Sequence, residues 1–182
     1  DLTKQRPYAF PSSLLVTNAD AILDAPDIDI VIELIGGEDP AHEYMRRAIS
    51  HGKHIVTANK EVIAKNGFRL LSLASQHGVD LRYEASVASG IPILSPLQQD
   101  LAANEIRAIG NGTTNYILTK MAKEGIAYGD ALRQAQELGY AEANPANDVE
   151  GIDAAYKLAI LASLAFHTPV KPSAIFHEGI SG

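Results

Sequence analysis

Apolar and polar residues in the first half of the chain alternate between strand-like and helical patterns. Residues 27–34 (DIDIVIEL) form a β-branched run that is typical of a parallel strand covered on both faces. Further strands are predicted at 53–57 and 79–83, and intervening helices at 40–49 and 60–76. We expect an interruption of the second helix near Asn66-Gly67. Strand, helix, strand, helix, strand with short connections predicts a doubly wound α/β sheet.

A sheet of this kind binds its ligand outside the carboxyl ends of its strands, here near 34–37, 57–60 and Glu84. Taken singly, the motifs at these ends have ordinary interpretations. Gly36-Gly37 reads as a turn. The segment 57–60 (TANK) on its own predicts a helix cap followed by a solvated lysine.

After Glu84 the pattern becomes mainly helical, which places a domain boundary near residues 84–92. Helices are predicted at 89–102, 113–123, 130–138 and 152–166, and a strand at 105–109. The segment 111–115 (NGTTN) fits a turn with capping residues as readily as a ligand contact. Glu142 lies in an irregular segment, where a glutamate usually faces solvent.

The helix predicted at 152–166 is apolar nearly all the way round, which describes a buried helix. Asp153 and Lys157 are nevertheless four residues apart on it, so their side chains share a face. Burying two charges costs several kcal/mol per ion unless they are paired and further hydrogen-bonded. A buried lysine also loses basicity, which suits a general acid. An ordinary ion pair is the commoner interpretation of this spacing, but the apolar surroundings favour a catalytic pair.

Composition excludes several classes of function. The 182 residues carry a net charge of −7, and Arg46-Arg47 is the single pair of adjacent basic residues. Both features argue against a protein that binds nucleic acid. No apolar run reaches the roughly 18 residues that span a bilayer, and the N-terminus has no signal-peptide pattern. The absence of cysteine excludes disulfides and thiolate metal sites and suits a cytoplasmic protein. His51 and His54 are a poor metal pair, because Gly52 and a predicted strand separate them.

Five sequence motifs, taken together and in their order along the chain, are specific enough to indicate a protein family. They lie at 31–37 (VIELIGG), 52–60 (GKHIVTANK), 83–92 (YEASVASGIP), 111–118 (NGTTNYIL) and 139–157. From about Ile28 to Phe166 the chain resembles homoserine dehydrogenase. Ala108, where the family favours glycine, and Tyr156, a variable position, are small departures.

The resemblance implies reduction of aspartate 4-semialdehyde to homoserine with NADP or NAD as cofactor, on the route to threonine and methionine. Lys157 matches the proton donor to the aldehyde oxygen, and Asp153 the carboxylate that holds it. Glu142 matches the residue that binds the substrate's amino group, and Asp148 is placed with it at the substrate. Lys60 matches a lysine that contacts both nicotinamide and substrate.

The resemblance also implies binding sites for the cofactor and for a sodium ion. Ile35 and Gly36 match the loop that runs along the cofactor. Glu84 matches a carboxylate of the sodium site, whose other ligands are the backbone carbonyls of Val87, Ser89 and Ile91. Residues 1–88 then form the C-terminal part of a Rossmann-like NAD(P)-binding domain. Residues 89–182 form an α+β catalytic and dimerisation domain, incomplete at its C-terminus.

One expected motif is missing. A dinucleotide-binding fold needs a Gly-x-Gly-x-x-Gly turn after its first strand, and 110–115 (GNGTTN) lacks the third glycine. The family places that turn before Asp1 and continues beyond Gly182. We therefore expect the chain to be the middle of a longer enzyme.

Two alternatives remain open at this point. A non-catalytic oligomerisation or regulatory module could keep the fold, although such a copy would be expected to lose Lys60, Glu142 or Lys157. Another semialdehyde or sugar dehydrogenase is disfavoured by the NGTTNY motif. The expected partners are the small-molecule substrate and further copies of the chain, as a homodimer or homotetramer, with no nucleic acid and no membrane.

Overall fold

Among the described residues of the first half, three parallel strands form a sheet in the order β1-β2-β3. They are β1 (Ile30–Glu33), β2 (His54–Thr57) and β3 (Leu81–Arg82). Val31 lies opposite Ile55, and Ile55 opposite Leu81. The computed structural model describes Tyr8, residues 11–99 and residues 103–181. The parallel α/β sheet predicted from the strand–helix alternation is confirmed.

Three helices belong to this sheet: α1 (Asp20–Leu23), α2 (Ala41–Ser50) and α3 (Lys60–His77). The side chain of Asn59 caps α3 by accepting the backbone N–H of Val62 at 3.1 Å. The expected interruption near Asn66-Gly67 is wrong, because α3 runs continuously through both residues. Gly67 is buried, and a side chain there would crowd Ile63 one turn earlier, at 3.3 Å.

The helices cover one face of the sheet. Ile55 is fully buried, whereas Ile30 and Ile32 are 57% and 65% exposed on the opposite face. The β-branched run was expected to be covered on both faces, and within the described residues it is buried on one. The main hydrophobic core lies between the sheet and α2 and α3; its largest fully buried members are Met45, Ile49, Ile55, Val62 and Leu70.

The second half contributes five helices within the described residues. They are α4 (Leu94–Gln99), α5 (Gly112–Glu124), α6 (Tyr128–Glu137), α7 (Ala146–Val149) and α8 (Ile152–Ala165). A smaller core joins α5, α6 and α7 around Ile117. The α4 and α8 helices instead pack into the main core through residues such as Leu97 and Ile160. The domain boundary near residues 84–92 stays a prediction, since the main core draws on residues from both sides of it.

Two expectations for the second half differ from the structure. The helix expected at 89–102 begins at Leu94, and residues 100–102 lie outside the described part of the chain. The strand expected at 105–109 is absent: residues 103–111 are irregular, and Ile109 is 81% exposed. An extended segment becomes a strand only when a neighbour accepts its hydrogen bonds, and no described segment pairs with this one.

The α8 helix is buried on one side only. Ala155, Ala159 and Ile160 are buried, whereas Leu158 is 41% exposed. The prediction of a helix buried all round is therefore wrong for the described residues. Asp153 is still only 3% exposed, so the unusual feature of the helix remains. None of the helices in the described residues combines the length and hydropathy needed to cross a membrane.

A close backbone contact fixes the start of α8. Gly151, its N-cap, has φ +80°, and a Cβ atom there would lie 2.8 Å from the carbonyl oxygen of Glu178. The backbone N–H of Ile180 donates to the carbonyl of Val149 at 2.8 Å, which holds the two segments together. Only glycine fits this position without displacing the segment around Glu178.

Gly151→Ala should therefore destabilise the full-length protein by about 2–4 kcal/mol, combining a left-handed backbone penalty with overpacking. Gly125→Ala is the matched control, because Gly125 has φ +67° but open space around its Cβ position. It should show the backbone penalty alone, about 1–2 kcal/mol. Urea unfolding of both variants measures the difference, and equal losses would contradict the proposed contact.

Candidate active site

Asp153 is the centre of a charged cluster between the two halves of the chain. Its Oδ1 lies 2.8 Å from the ammonium of Lys60, and its Oδ2 lies 2.6 Å from the ammonium of Lys157. The Asp153 side chain is 4% exposed, whereas those of Lys60 and Lys157 are 42% and 22% exposed. A buried carboxylate thus joins Lys60 and Lys157, two lysines that reach solvent. The catalytic roles of the three residues stay predictions.

Packing of α3 against α8 creates this cluster. Lys60 is the first residue of α3, and two residues separate it from the end of β2. Asp153 is in the first turn of α8, where the helix dipole favours a negative charge. A second contact supports the same interface, because the Tyr156 hydroxyl donates to Glu61 at 3.3 Å.

A loop before α5 completes the cluster. The Lys157 ammonium donates to the carbonyl of Gly110 at 2.7 Å. The side-chain amide of Asn111 donates to Asp153 Oδ2 at 2.8 Å and to Asp148 Oδ1 at 2.7 Å. Asp148, predicted at the substrate, thereby joins the cluster through Asn111.

The contacts of Asn111 with the two carboxylates were not predicted. The NGTTN segment was expected to be a capped turn as readily as a ligand contact, and the cap is present, since Asn111 Oδ1 accepts the N–H of Thr114 at 2.8 Å. A cap needs only an acceptor, which serine or aspartate supplies equally well. The choice of asparagine, which adds two N–H donors to the acceptor, was therefore the feature of the sequence that could have predicted a further contact.

Opposing effects act on the pKa of Asp153. Burial raises the pKa, but hydrogen bonds from Lys157, Lys60 and Asn111 lower it more, so the net pKa is below the ordinary aspartate value. The carboxylate therefore stays ionised at neutral pH and keeps both ammonium groups in place.

A second polar network lies at the carboxyl end of the sheet. The buried carboxylate of Glu33 accepts the N–H of Ile35 and the hydroxyl of Thr57, each at 2.6 Å. The amide of Asn59 donates to the carbonyl of Gly37 at 2.7 Å. These bonds, which were not predicted from the sequence, fix the Ile35–Gly37 loop.

The same loop suits the predicted cofactor site. Ile35 is 57% exposed, and apart from the two neighbours of Gly36 in the chain, no atom of the described residues would lie within 4 Å of a Cβ at Gly36. A flat ring could approach this backbone without meeting a side chain. Ile35, Gly36 and Lys60 all follow strand ends at one edge of the sheet, where an α/β sheet binds its ligand.

Glu142 is not brought into the cluster by any contact. It is exposed, and its backbone carbonyl accepts the Gln136 amide at 3.1 Å. Its carboxylate has no hydrogen-bond partner among the described residues. Its predicted role at the substrate amino group stays a prediction.

The Glu84 carboxylate caps α4. It accepts the N–H groups of Ile93, Leu94 and Ser95 and the Ser95 hydroxyl, at 2.6–3.0 Å. Burial raises the pKa of Glu84, but these hydrogen bonds lower it by more, so the net pKa is below the ordinary glutamate value. A carboxylate offers about four lone-pair sites, so the cap already engages this side chain extensively.

The carbonyl ligands expected for sodium fit better than the carboxylate. No described residue donates a hydrogen bond to the carbonyl oxygens of Val87, Ser89 or Ile91. Such oxygens suit a hard cation. The described residues contain no group of three or more His, Cys, Asp or Glu side chains able to hold a metal. The sodium site expected from the resemblance, with Glu84 and these three carbonyls as ligands, stays a prediction.

Two family models match the chain. The model described as "Homoserine dehydrogenase" matches residues 92–182. The model described as "Homoserine dehydrogenase, NAD binding domain" matches residues 1–84.

Relatives and solved structures agree with these models. The chain is 51% identical to a homoserine dehydrogenase of a Synechocystis species, covering 98% of the chain and 42% of the relative. It is 47% identical to the Bacillus subtilis homoserine dehydrogenase, covering 100% of the chain and 42% of the relative. The chain thus spans about 42% of the length of these curated relatives.

Among solved structures, a Thiobacillus denitrificans homoserine dehydrogenase superposes with a TM-score of 0.86 at 50% identity, covering 91% of this chain and 39% of that one. A hyperthermophilic archaeal homoserine dehydrogenase in complex with NADPH superposes with a TM-score of 0.75 at 33% identity, covering 84% of this chain and 48% of that one.

The lowered pKa of Asp153 predicts a pH-dependent contribution to stability. Asp153→Asn should cost the full-length protein about 1–3 kcal/mol of unfolding free energy at neutral pH, because it removes charged hydrogen bonds. Since the folded pKa lies below the unfolded value of 3.8, this difference should be complete above that pH and vanish as the pH falls through the folded pKa.

Urea unfolding of the wild type and Asp153→Asn between about pH 8 and pH 3 measures this difference. Glu43→Gln is the control, because Glu43 also has a lowered pKa, through hydrogen bonds from Arg46, but is exposed. It should change little at any pH. A gap for Asp153→Asn that persists unchanged at the lowest pH would rule out this explanation.

Proposed function

The chain belongs to the homoserine dehydrogenase family, and from that premise we propose that it carries active-site residues of an NAD(P)-dependent homoserine dehydrogenase. The proposed reaction is the reversible reduction of L-aspartate 4-semialdehyde to L-homoserine, in threonine and methionine biosynthesis. The observation that carries this proposal is the pairing of Asp153 with Lys60 from one half and Lys157 from the other. A non-catalytic module would have no need for two lysines on one buried carboxylate.

Proton transfer is assigned to Lys157. When the aldehyde carbon is reduced, negative charge develops on the carbonyl oxygen, and a cationic donor both stabilises it and supplies the proton. Two N–H groups of Lys157 are used by Asp153 and Gly110, and the third has no acceptor among the described residues. That N–H is the one proposed to reach the substrate oxygen. Asp153 holds the ammonium in place for this step.

The nicotinamide cofactor, NADP or NAD, supplies the hydride when bound. We assign Ile35, Gly36 and Lys60 to its binding. The Glu33 carboxylate supports this assignment, because it holds the Ile35 N–H in a fixed position. The solved archaeal relative in complex with NADPH is consistent with this choice of cofactor. In this proposal residues 1–88 belong to the cofactor domain and 89–182 to the catalytic domain.

The substrate's amino group is assigned to Glu142 and Asp148. Both are acidic, and Asp148 is held beside Asp153 by Asn111. A sodium ion, held by Glu84 and the carbonyls of Val87, Ser89 and Ile91, and assembly as a homodimer or homotetramer complete the proposal. A biosynthetic role of this kind places the enzyme in the cytoplasm.

Lys157→Met in the full-length enzyme should lower kcat by about 10²- to 10⁴-fold, the usual cost of losing a general acid. The KM for NADPH should stay near the wild-type value, because Lys157 is assigned to the proton and not to the nucleotide. Steady-state assays with both substrates measure the two parameters.

Lys120→Met is the matched control for Lys157→Met. Lys120 also forms an (i, i+4) ion pair, with Glu124 at 2.6 Å, but lies on α5 away from Asp153. It should leave both parameters unchanged. A Lys157→Met enzyme that retained more than about a tenth of wild-type kcat would refute the assignment.

Glu142→Gln should raise the KM for the semialdehyde far more than the KM for NADPH. Removing one partner of a desolvated charge pair costs about 2–5 kcal/mol. Glu137→Gln on the nearby α6 helix controls for a general change of charge. If the semialdehyde KM and kcat/KM of Glu142→Gln match the wild type, Glu142 does not bind the substrate.

A further inference from the structure

We propose that Asn111 is a positioning residue for catalysis, which holds the carboxylates of Asp153 and Asp148 in one arrangement so that the Lys157 ammonium faces the substrate oxygen. This inference rests on the proposed function. The structure gives three reasons for it: the complete hydrogen bonding of the Asn111 amide, its contact with both carboxylates, and the position of Gly110 beside Lys157.

Every hydrogen-bonding position of the Asn111 amide is used. Its nitrogen donates to Asp148 and to Asp153, at 2.7 Å and 2.8 Å. Its oxygen accepts the N–H and the hydroxyl of Thr114, at 2.8 Å and 3.1 Å. Rotating the amide by half a turn would set its oxygen against two carboxylates and its N–H groups against the Thr114 N–H. The orientation is therefore determined by its neighbours.

The amide lets two acidic side chains converge without a cation between them. Two carboxylates that approach the same point repel each other, which raises the pKa of one of them. One neutral nitrogen with two N–H groups satisfies an oxygen of each. The lysines around Asp153, which are Lys60 and Lys157, then keep their remaining N–H groups for other partners.

Gly110, the residue before Asn111, contacts Lys157, the partner of Asp153 in the ion pair. The carbonyl of Gly110 accepts from Lys157, while the amide of Asn111 donates to Asp153, and Lys157 and Asp153 bond to each other at 2.6 Å. Two adjacent residues therefore hold both members of the ion pair. Because Asn111 also caps the 13-residue α5 helix and is 8% exposed, this dipeptide has a defined position.

Substitutions that keep the cap separate the two roles of Asn111. Serine and aspartate cap helices about as well as asparagine, but neither supplies the two donors. Asn111→Ser removes the donors without adding charge. Asn111→Asp removes them and adds a third carboxylate beside Asp148 and Asp153. A residue that acted only as a cap would tolerate both changes.

The test is the pH profile of kcat/KM for L-homoserine with NADP⁺ in the full-length enzyme. Asn111→Ser should lower kcat/KM by about 10- to 100-fold, because a hydrogen bond to a charged group is lost. In this direction Lys157 accepts the proton of the homoserine hydroxyl. Without the Asn111 donor, the negative charge of Asp153 holds the ammonium form of Lys157 more strongly, so the acidic limb should move to higher pH. Asn111→Asp should move the limb further, and the KM for NADP⁺ should stay near the wild-type value in both.

Thr114→Val is the matched control, since it removes a hydroxyl bonded to Asn111 Oδ1 but leaves both donors in place. Its profile should follow the wild type. Wild-type profiles for Asn111→Ser and Asn111→Asp, or reduced activity with an unmoved acidic limb, would overturn the positioning role. If Asn111→Asp does not fold, the neutral serine variant decides alone. A wild type unable to oxidise homoserine would instead overturn the proposed function, and this inference with it.

Discussion

The ion pairs of one buried carboxylate hold the candidate site together. Asp153 is almost inaccessible to solvent, and an isolated charge there would cost several kcal/mol. Lys60, Lys157 and Asn111 together supply the donors that offset this cost. Since these three residues come from α3, α8 and the loop before α5, the carboxylate can be accommodated only when all three elements are packed in their native positions.

Two asparagines perform the same pair of tasks at different ends of the site. Asn59 and Asn111 each cap a helix with the side-chain oxygen, and each uses the side-chain nitrogen to hold a functional segment. For Asn59 that segment is the loop at Gly37, and for Asn111 it is the pair of carboxylates. The start of each helix and the position of the neighbouring site residues are thus set by one side chain. Serine or aspartate would provide only the cap.

Local pattern was sufficient to predict the parallel sheet, the start of a helix at Lys60 and the pairing of Asp153 with Lys157, because these depend on periodicity within a short window. It did not predict that this helix continues through Asn66 and Gly67. The strand expected at 105–109 depended on a partner elsewhere in the chain and does not form among the described residues. The pairing of Lys60 with Asp153 depends on α3 packing against α8, and the capping of α4 by Glu84 depends on tertiary folding too. Resemblance to a known family suggested roles for Lys60 and Glu84, but it did not predict these contacts.

The first turns of α3 and α8 meet in the site. Their contact explains why a lysine is tolerated at the start of α3. Asp153 lies in the first turn of α8, where the positive end of the helix dipole stabilises an anion. Lys60 is the first residue of α3, where the same dipole disfavours a cation. The carboxylate of Asp153, 2.8 Å away, offsets this unfavourable placement. A lysine held against the local helix field by a buried partner is better explained by a requirement for a positive charge at this edge of the sheet than by the stability of α3.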